Sequence, residues 1–223
     1  MPVDTIAYIG TTGLGNLWAR NRTLILGASD AGVADDAMLL AEQQFGFDPE
    51  ADLLAQLTGD FAAGFYPDGG GLLAALNNTP LGLVALQGSA NEALLDQSLA
   101  QLAETLPDML GVPVVPVDDH YSIAILGQEL AAYGMADETL RIVTRSEHLQ
   151  QPSAILTGSA EFQRALVAFP AEMTLTGWID LNGLSPVVNN ASFDLVQNIP
   201  MVAWATHNDG SGGTARLIFF FSP

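Results

Sequence analysis

The side chains able to do chemistry are few and widely spaced. None of the 223 residues is cysteine, which removes disulfides, thiolate metal sites and cysteine nucleophiles. The histidines are His120, His148 and His207. None has a second histidine or a glutamate at the helical spacing of a zinc site. His120 follows Asp118-Asp119, so a metal site or an acid–base pair there stands against a solvated turn. Asp118, Asp119, Asp137 and Glu138 converge if the strands between them fold these positions to one end, and hard cations favour such oxygen clusters. The loop spacing of a calcium site is absent, and solvated turn carboxylates are the competing reading.

Two glycine motifs invite catalytic or cofactor readings. Gly10, Gly13 and Gly15 follow an apolar strand, and Asp30 comes after Leu24-Ile25-Leu26 where a ribose-binding acid would stand. The spacing is Gly-x-x-Gly-x-Gly, and Thr23 to Leu26, read as the next strand, leaves no room for a crossover helix whose N-terminus would hold a pyrophosphate. Gly27-Ala28-Ser29-Asp30-Ala31-Gly32 resembles a nucleophile elbow with one residue too many, so Ser29 reads as a turn or capping residue. No cofactor is expected, and the balance leans away from an enzyme.

These residues sit in a chain that is apolar and acidic at once. Hydrophobic residues make up 49%, the mean hydropathy is +0.29, and 25 acidic residues face six arginines and no lysine, for a formal net charge of -19. Phosphate backbones and anionic lipid headgroups are bound through Lys and Arg, so nucleic acid is excluded as an expected partner. No apolar run reaches the roughly 18 residues of a membrane helix, so direct insertion by this chain is not expected. Arg20 is the first basic residue and comes too late for a signal-peptide n-region.

The positioning elements follow from punctuation. Asp35 to Phe45 reads as a helix with Asp35 near its N-cap and Gly46 at its stop. Asp48 caps a short helix with Pro49 in its first turn, Leu53, Leu54 and Leu57 on its buried face and Gly59 at its end. A hairpin follows, with arms Phe61–Tyr66 and Leu72–Leu76 around Asp68-Gly69-Gly70-Gly71. Leu81 to Leu86 reads as a strand. Ser89 and Glu92 read as a capping box for a helix that buries Leu95, Leu99, Leu102 and Leu106 and stops at Pro107. Val112–Val117, Tyr121–Leu126, Leu130–Tyr133 and Leu140–Thr144 read as an antiparallel meander. Ser159 caps a helix with Phe162, Ala165, Leu166 and Phe169 on its apolar face and Pro170 as its stop. A last hairpin joins Met201–Thr206 to Ala215–Phe221 through Asn208–Gly213. Within it, Leu217 to Phe221 is apolar on both parities, which fits a strand covered on both faces or one that pairs with something outside the chain.

The stretch Leu175–Leu184 echoes Ile6–Leu14, with Tyr8 matching Trp178 and Ile9 matching Ile179, and each copy leads on to a hairpin. The expected class is α+β, with a mixed, mainly antiparallel sheet and helices packed on it. The organisation is a single domain over 1–223, made of pseudo-repeats at 1–80 and 159–223 around a β-α-β-meander at 81–158. Tyr8 and Trp178 fall on one strand face by parity, either as core aromatics or as a paired lining for an apolar ligand pocket.

The order Pro2-Val3-Asp4-Thr5, Tyr8-Ile9, Gly46-Phe47-Asp48-Pro49-Glu50-Ala51-Asp52-Leu53-Leu54 and Leu57-Thr58-Gly59-Asp60-Phe61-Ala62 resembles a bacterial family of extracytoplasmic proteins known only as a domain of unknown function. Ser159-Ala160-Glu161-Phe162 with Phe169-Pro170 before Trp178-Ile179-Asp180 is similar to that family's junction between units. The resemblance implies an extracytoplasmic or cell-surface location and brings no catalytic residues. The leading expectation is a non-catalytic binding or structural module with a protein or apolar small-molecule partner. The alternatives are a carrier or sensor of a hydrophobic small molecule, and a hydrolase built on loop carboxylates and a histidine.

Overall fold

Helix ends leave backbone N–H and C=O groups without intrahelical partners, and short polar side chains or glycine must satisfy them. In the computed structural model of this chain, residues 1–2, 4–11, 14–68, 81–88, 91–150, 159–169, 174–184, 199–208 and 213–221 are described. The class is α+β, with ten strands in mainly antiparallel sheet among the described residues. The chain forms two compact units, one of 1–11, 62–85 and 143–223 and the other of 12–61 and 86–142.

In the first unit the strand order is β10-β9-β8-β1-β2-β3, with β1 at Ala7–Thr11, β2 at Phe61–Pro67, β3 at Leu81–Gly88, β8 at Leu175–Asp180, β9 at Met201–Asn208 and β10 at Gly213–Phe220. β1 and β8 are antiparallel neighbours, and Tyr8 lies directly opposite Trp178. The helix Ala160–Ala168 begins at Ser159, whose side chain accepts from the Phe162 N–H as its sequence position predicts. Phe162 and Ala165 are buried with Trp178, Met201 and Ala203, while Tyr8, Phe169, Ile218 and Phe220 close the cluster. Leu166, assigned to the same apolar face, is exposed instead. Residues Leu181–Leu184 leave the strand as one helical turn. The first hairpin's turn from Gly69 and its return arm Leu72–Leu76 lie outside the described residues, as does Pro170.

The second unit holds α1 (Leu14–Ile25), α2 (Ala31–Phe45), α3 (Glu92–Leu110) and the strands β4 (Val114–Val117), β5 (His120–Ile125), β6 (Gln128–Ala136) and β7 (Thr139–Val143). The expected meander is present in the order β7-β6-β5-β4. Several boundaries are corrected. Thr23 to Leu26 is not a strand; it ends α1, and Leu24 and Ile25 are exposed there. α2 starts earlier than Asp35, because Asp30 accepts from the Val33 N–H, and it ends on Gly46 in a left-handed conformation as expected. α3 is capped by Asn91, which accepts from the Leu94 N–H, with Glu92 as the first helical residue rather than the third. Pro107 does not stop α3. The helix passes through it and ends at Gly111, whose φ of 68° closes the last turn. A proline ring costs a helix one amide donor, and one absent bond near a C-terminus is tolerated when the packed face continues.

The core of this unit is built on the helix face read from the sequence. Leu95, Leu99, Leu57, Tyr133 and Leu140 are buried together, with Leu53, Leu54 and Leu106 packed around them. The Gln87 side chain is buried and spans three backbones. It accepts from the Leu14 N–H at 3.1 Å and donates to the Gly59 and Gly88 carbonyls at 2.7 and 2.8 Å.

Tyr133 stacks on Tyr121 at 5.2 Å between ring centroids, and its buried hydroxyl has no hydrogen-bond partner among the described residues. A buried polar group without a partner loses its hydration for nothing, so Tyr133→Phe is expected to raise unfolding stability by about 1 kcal/mol. Burial also holds the Tyr133 proton above the ordinary value of 10.0. The unfolded chain releases that proton near 10 while the folded chain keeps it, so stability is full below pH 10 and falls as pH rises above it. Urea titrations at pH 8 and 11 should show a smaller loss for the phenylalanine variant. An equal or larger loss would place the ionising group elsewhere.

Candidate binding cavity

The β4–β5 connection is a two-residue turn, since Val117 pairs with His120. Asp118 takes the turn at a φ of 48°, a left-handed conformation that short polar residues tolerate better than bulky ones. His120 pairs with Gly134 on β6, so the β6–β7 turn, Asp137 and Glu138, lies at the same end of the meander. The fold thus carries all four carboxylates to one end, as the sequence allowed. It does not bring them into one ligand set: among the described residues no three acidic or histidine side chains are grouped to hold a metal ion. Asp137 faces Arg141 at 3.8 Å.

Asp118 and Asp119 border a cavity of about 510 Å³ with Glu92, Ala93 and Asp96 from the first turns of α3, and with Pro116, His120, Tyr121 and Met135 from the sheet. Cavities of this size hold small ligands. Glu92 and Asp96 were not singled out from the sequence as site residues. Their signal was an acidic pair at i and i+4, which shares one side of a helix. The apolar part is Pro116, Met135 and the ring of Tyr121, whose hydroxyl is held above 10.0 first by burial and then by the negative charge of Asp96 and Glu104. The wall is therefore electronegative around an aromatic face.

His120 Nδ1 is 3.2 Å from an Asp119 carboxylate oxygen, and Nε2 is buried without a partner among the described residues. A histidine base must present its free nitrogen to a substrate or water. Here that nitrogen has no accessible surface, and among the described lining residues the one hydroxyl is the Tyr121 phenol.

The remaining sequence candidates lie elsewhere. His148 meets the Tyr66 ring edge-on at 4.7 Å between centroids, beside a polar latch in which the Tyr66 hydroxyl meets Thr144 Oγ1 at 2.9 Å and Arg145 grips the buried Asp68 with two nitrogens. His207 pairs across the last hairpin with Thr214. Tyr8 and Trp178 pack on Phe162, at 5.1 and 6.1 Å between centroids, inside the first unit's core. Ser29 contacts Asp30, and the latter supplies the helix cap.

The glycine-rich segment after β1 does lead into a helix, contrary to the reading that no helix would fit. Two of its N-terminal amides are already used: Leu14 N–H bonds to Gln87 and Gly15 N–H to the Leu57 carbonyl at 3.0 Å. A Cβ on Gly15 would lie 2.6 Å from the Leu54 carbonyl oxygen, so this glycine admits a neighbouring backbone. A phosphate would have to displace protein partners from those amides.

No protein-family model matches the chain, and no curated protein does. Among solved structures it is similar to TP0453 in crystal form I, with a TM-score of 0.49 and 9% identity over 99% of this chain and 76% of that one. At that distance nothing about a site or an activity is carried across. No helix among the described residues is long and apolar enough to cross a membrane.

Proposed function

We propose that the chain is a non-catalytic extracytoplasmic binding module that takes a cationic group of its ligand into the cavity beside Tyr121. The location follows the sequence resemblance alone. The observation that carries the binding reading is the convergence of Glu92, Asp96, Asp118 and Asp119 on an aromatic wall in a cavity whose described lining residues include no arginine. Carboxylates attract an ammonium group, and an aromatic face adds a cation–π contribution of roughly 0.5–2 kcal/mol. The inaccessible His120 nitrogen favours binding over hydrolysis. The acidic lining favours an amine over the fatty chain that a hydrophobic carrier would hold.

Differential scanning fluorimetry with spermidine, calcium chloride and palmitate tests the reading. Spermidine should raise the melting temperature of the wild type, because a ligand that binds only the folded state stabilises it by mass action. The Asp96→Asn/Asp118→Asn variant should lose most of that shift. Stabilisation by palmitate and not by spermidine would replace this reading with the carrier, and an unchanged shift in the double variant would move the amine away from the cavity.

A further inference from the structure

β10 ends the strand order of the first unit, and all eight of its residues pair with β9 in an unbroken register from Gly213 opposite Asn208 to Phe220 opposite Met201. Alternate backbone N–H and C=O groups of such a strand point away from its neighbour. Among the described residues no strand takes them up. Edge strands in soluble proteins are usually protected by proline, lysine, a bulge or a covering element. β10 has no proline, no lysine and no register shift, and its one charge is Arg216.

Its side chains divide by parity. Ile218 and Phe220 pack into the core under the helix Ala160–Ala168, with Arg164 over the Phe220 ring at 5.3 Å. Leu217, Phe219 and Phe221 point the other way and are 60%, 47% and 65% exposed, so the strand is not covered on both faces. The other sequence alternative remains, a strand completed from outside the chain.

We propose that β10 pairs antiparallel with β10 of a second copy about a twofold axis centred on Ile218. The residues fit themselves in that register. Ile218 meets its own mate, Leu217 lies opposite Phe219 of the second copy on one face, and Arg216 lies opposite Phe220 on the other. Apolar cross-strand pairs and an arginine beside an aromatic ring are favourable neighbours. A register centred on Leu217 or on Phe219 would also bring exposed apolar residues together, but only the one centred on Ile218 sets Arg216 opposite the Phe220 ring. A chain carrying -19 repels its copy, but β9 and β10 contain no carboxylate, so the paired strands themselves add no acidic contact between the copies. The strand is about 27 Å long at ~3.4 Å per residue. One strand pairing buries less than the roughly 800 Å² per partner of stable dimers, so the association is weak and concentration-dependent.

Salt gives the proposal a sign. Screening at high ionic strength weakens the mutual repulsion of the two copies, so dimer formation should strengthen between 0.05 and 0.5 M NaCl. Sedimentation velocity of the wild type across roughly 10–500 μM, the span a weak interface requires, should show the 23.4 kDa species giving way to one of twice that mass. Phe219→Lys and Leu217→Glu should each stay monomeric. Mixed, they should recover the dimer, since the lysine on one copy faces the glutamate on the other while Leu217 still meets Phe219 in the second contact. Circular dichroism melts of each variant, matched to the wild type, establish that the hairpin is intact. A wild type that remains monomeric at the highest concentration and salt overturns the proposal. So does a dimer that survives both single substitutions, or a mixture that does not restore it.

Discussion

Trp178→Ala is expected to cost about 3–5 kcal/mol of unfolding free energy, the range for removing a large buried aromatic. The side chain is 2% exposed and belongs to the cluster of Phe162, Ala165, Met201 and Ala203. Its strand is fixed on both sides, by β1 through Tyr8 and by β9 through Ala203. Of its buried neighbours, Ala165 and Ala203 are too short to reach into the gap, and Phe162 and Met201 are anchored in a helix and a strand. The cavity would therefore persist, and a persistent cavity adds to the lost transfer energy. The indole Nε1 has no hydrogen-bond partner among the described residues, so Trp178→Phe should keep most of the stability. Chemical denaturation with an unchanged m-value would measure both. A loss under about 1 kcal/mol for the alanine variant, the level of ordinary substitutions, would mean the ring fills no essential space and would revive the pocket-lining reading of Tyr8 and Trp178.

The parts of the fold that could be read in advance are those where one local rule decides. Asp48 before Pro49 caps its turn by accepting from the Glu50 and Ala51 N–H groups, and Ser159 caps its helix, because those side chains have few other ways to meet free amides. The short β-branched and apolar runs of the meander and of the last hairpin, separated by polar turns, were enough to place the strands there. The strand reading of Thr23 to Leu26 fails because three apolar residues carry no period, and here Leu24 and Ile25 sit exposed at a helix end instead of facing a core. Pro107 was misread because its local penalty is real but smaller than the packing that carries α3 on to Leu110.

The candidate site was legible only in half. Asp118 and Asp119 stood out as a charged pair between two strands, and the meander's hairpins were enough to place Asp137 and Glu138 at the same end. What closes the cavity is α3, and a helix's rotation over a sheet depends on packing at long range. Glu92 and Asp96 therefore became site residues only with tertiary structure. Asp137 and Glu138 are a related case. Both take positive φ, as a two-residue hairpin requires. Glycine or asparagine usually signals that conformation, so the tightness of the turn was hidden behind two carboxylates that read as chemistry.

The four leucines along α3 give the second large effect, and the structure separates them where the sequence treats them as equals. Leu95 is 0% exposed and Leu99 is buried beside it, against Leu57, Tyr133 and Leu140. Leu102 is only half-buried and lies outside that buried cluster, and Leu106 packs at its margin. A fully enclosed leucine loses both its transfer energy and the contacts its neighbours made, so Leu95→Ala is expected to cost about 3–5 kcal/mol and Leu99→Ala about 2–4 kcal/mol. Leu102 already keeps part of its surface in water, so Leu102→Ala should cost clearly less, about 1–2 kcal/mol. The contrast matters more than any single value, because general helix propensity favours alanine slightly at all three positions and cannot produce it. Guanidinium unfolding of the three variants under one set of conditions measures the gradient. Equal losses at Leu95 and Leu102 would mean that α3 is rotated on the sheet. Rotation would carry Glu92 and Asp96 away from Asp118 and Asp119, and the cavity would lose two of its four carboxylates.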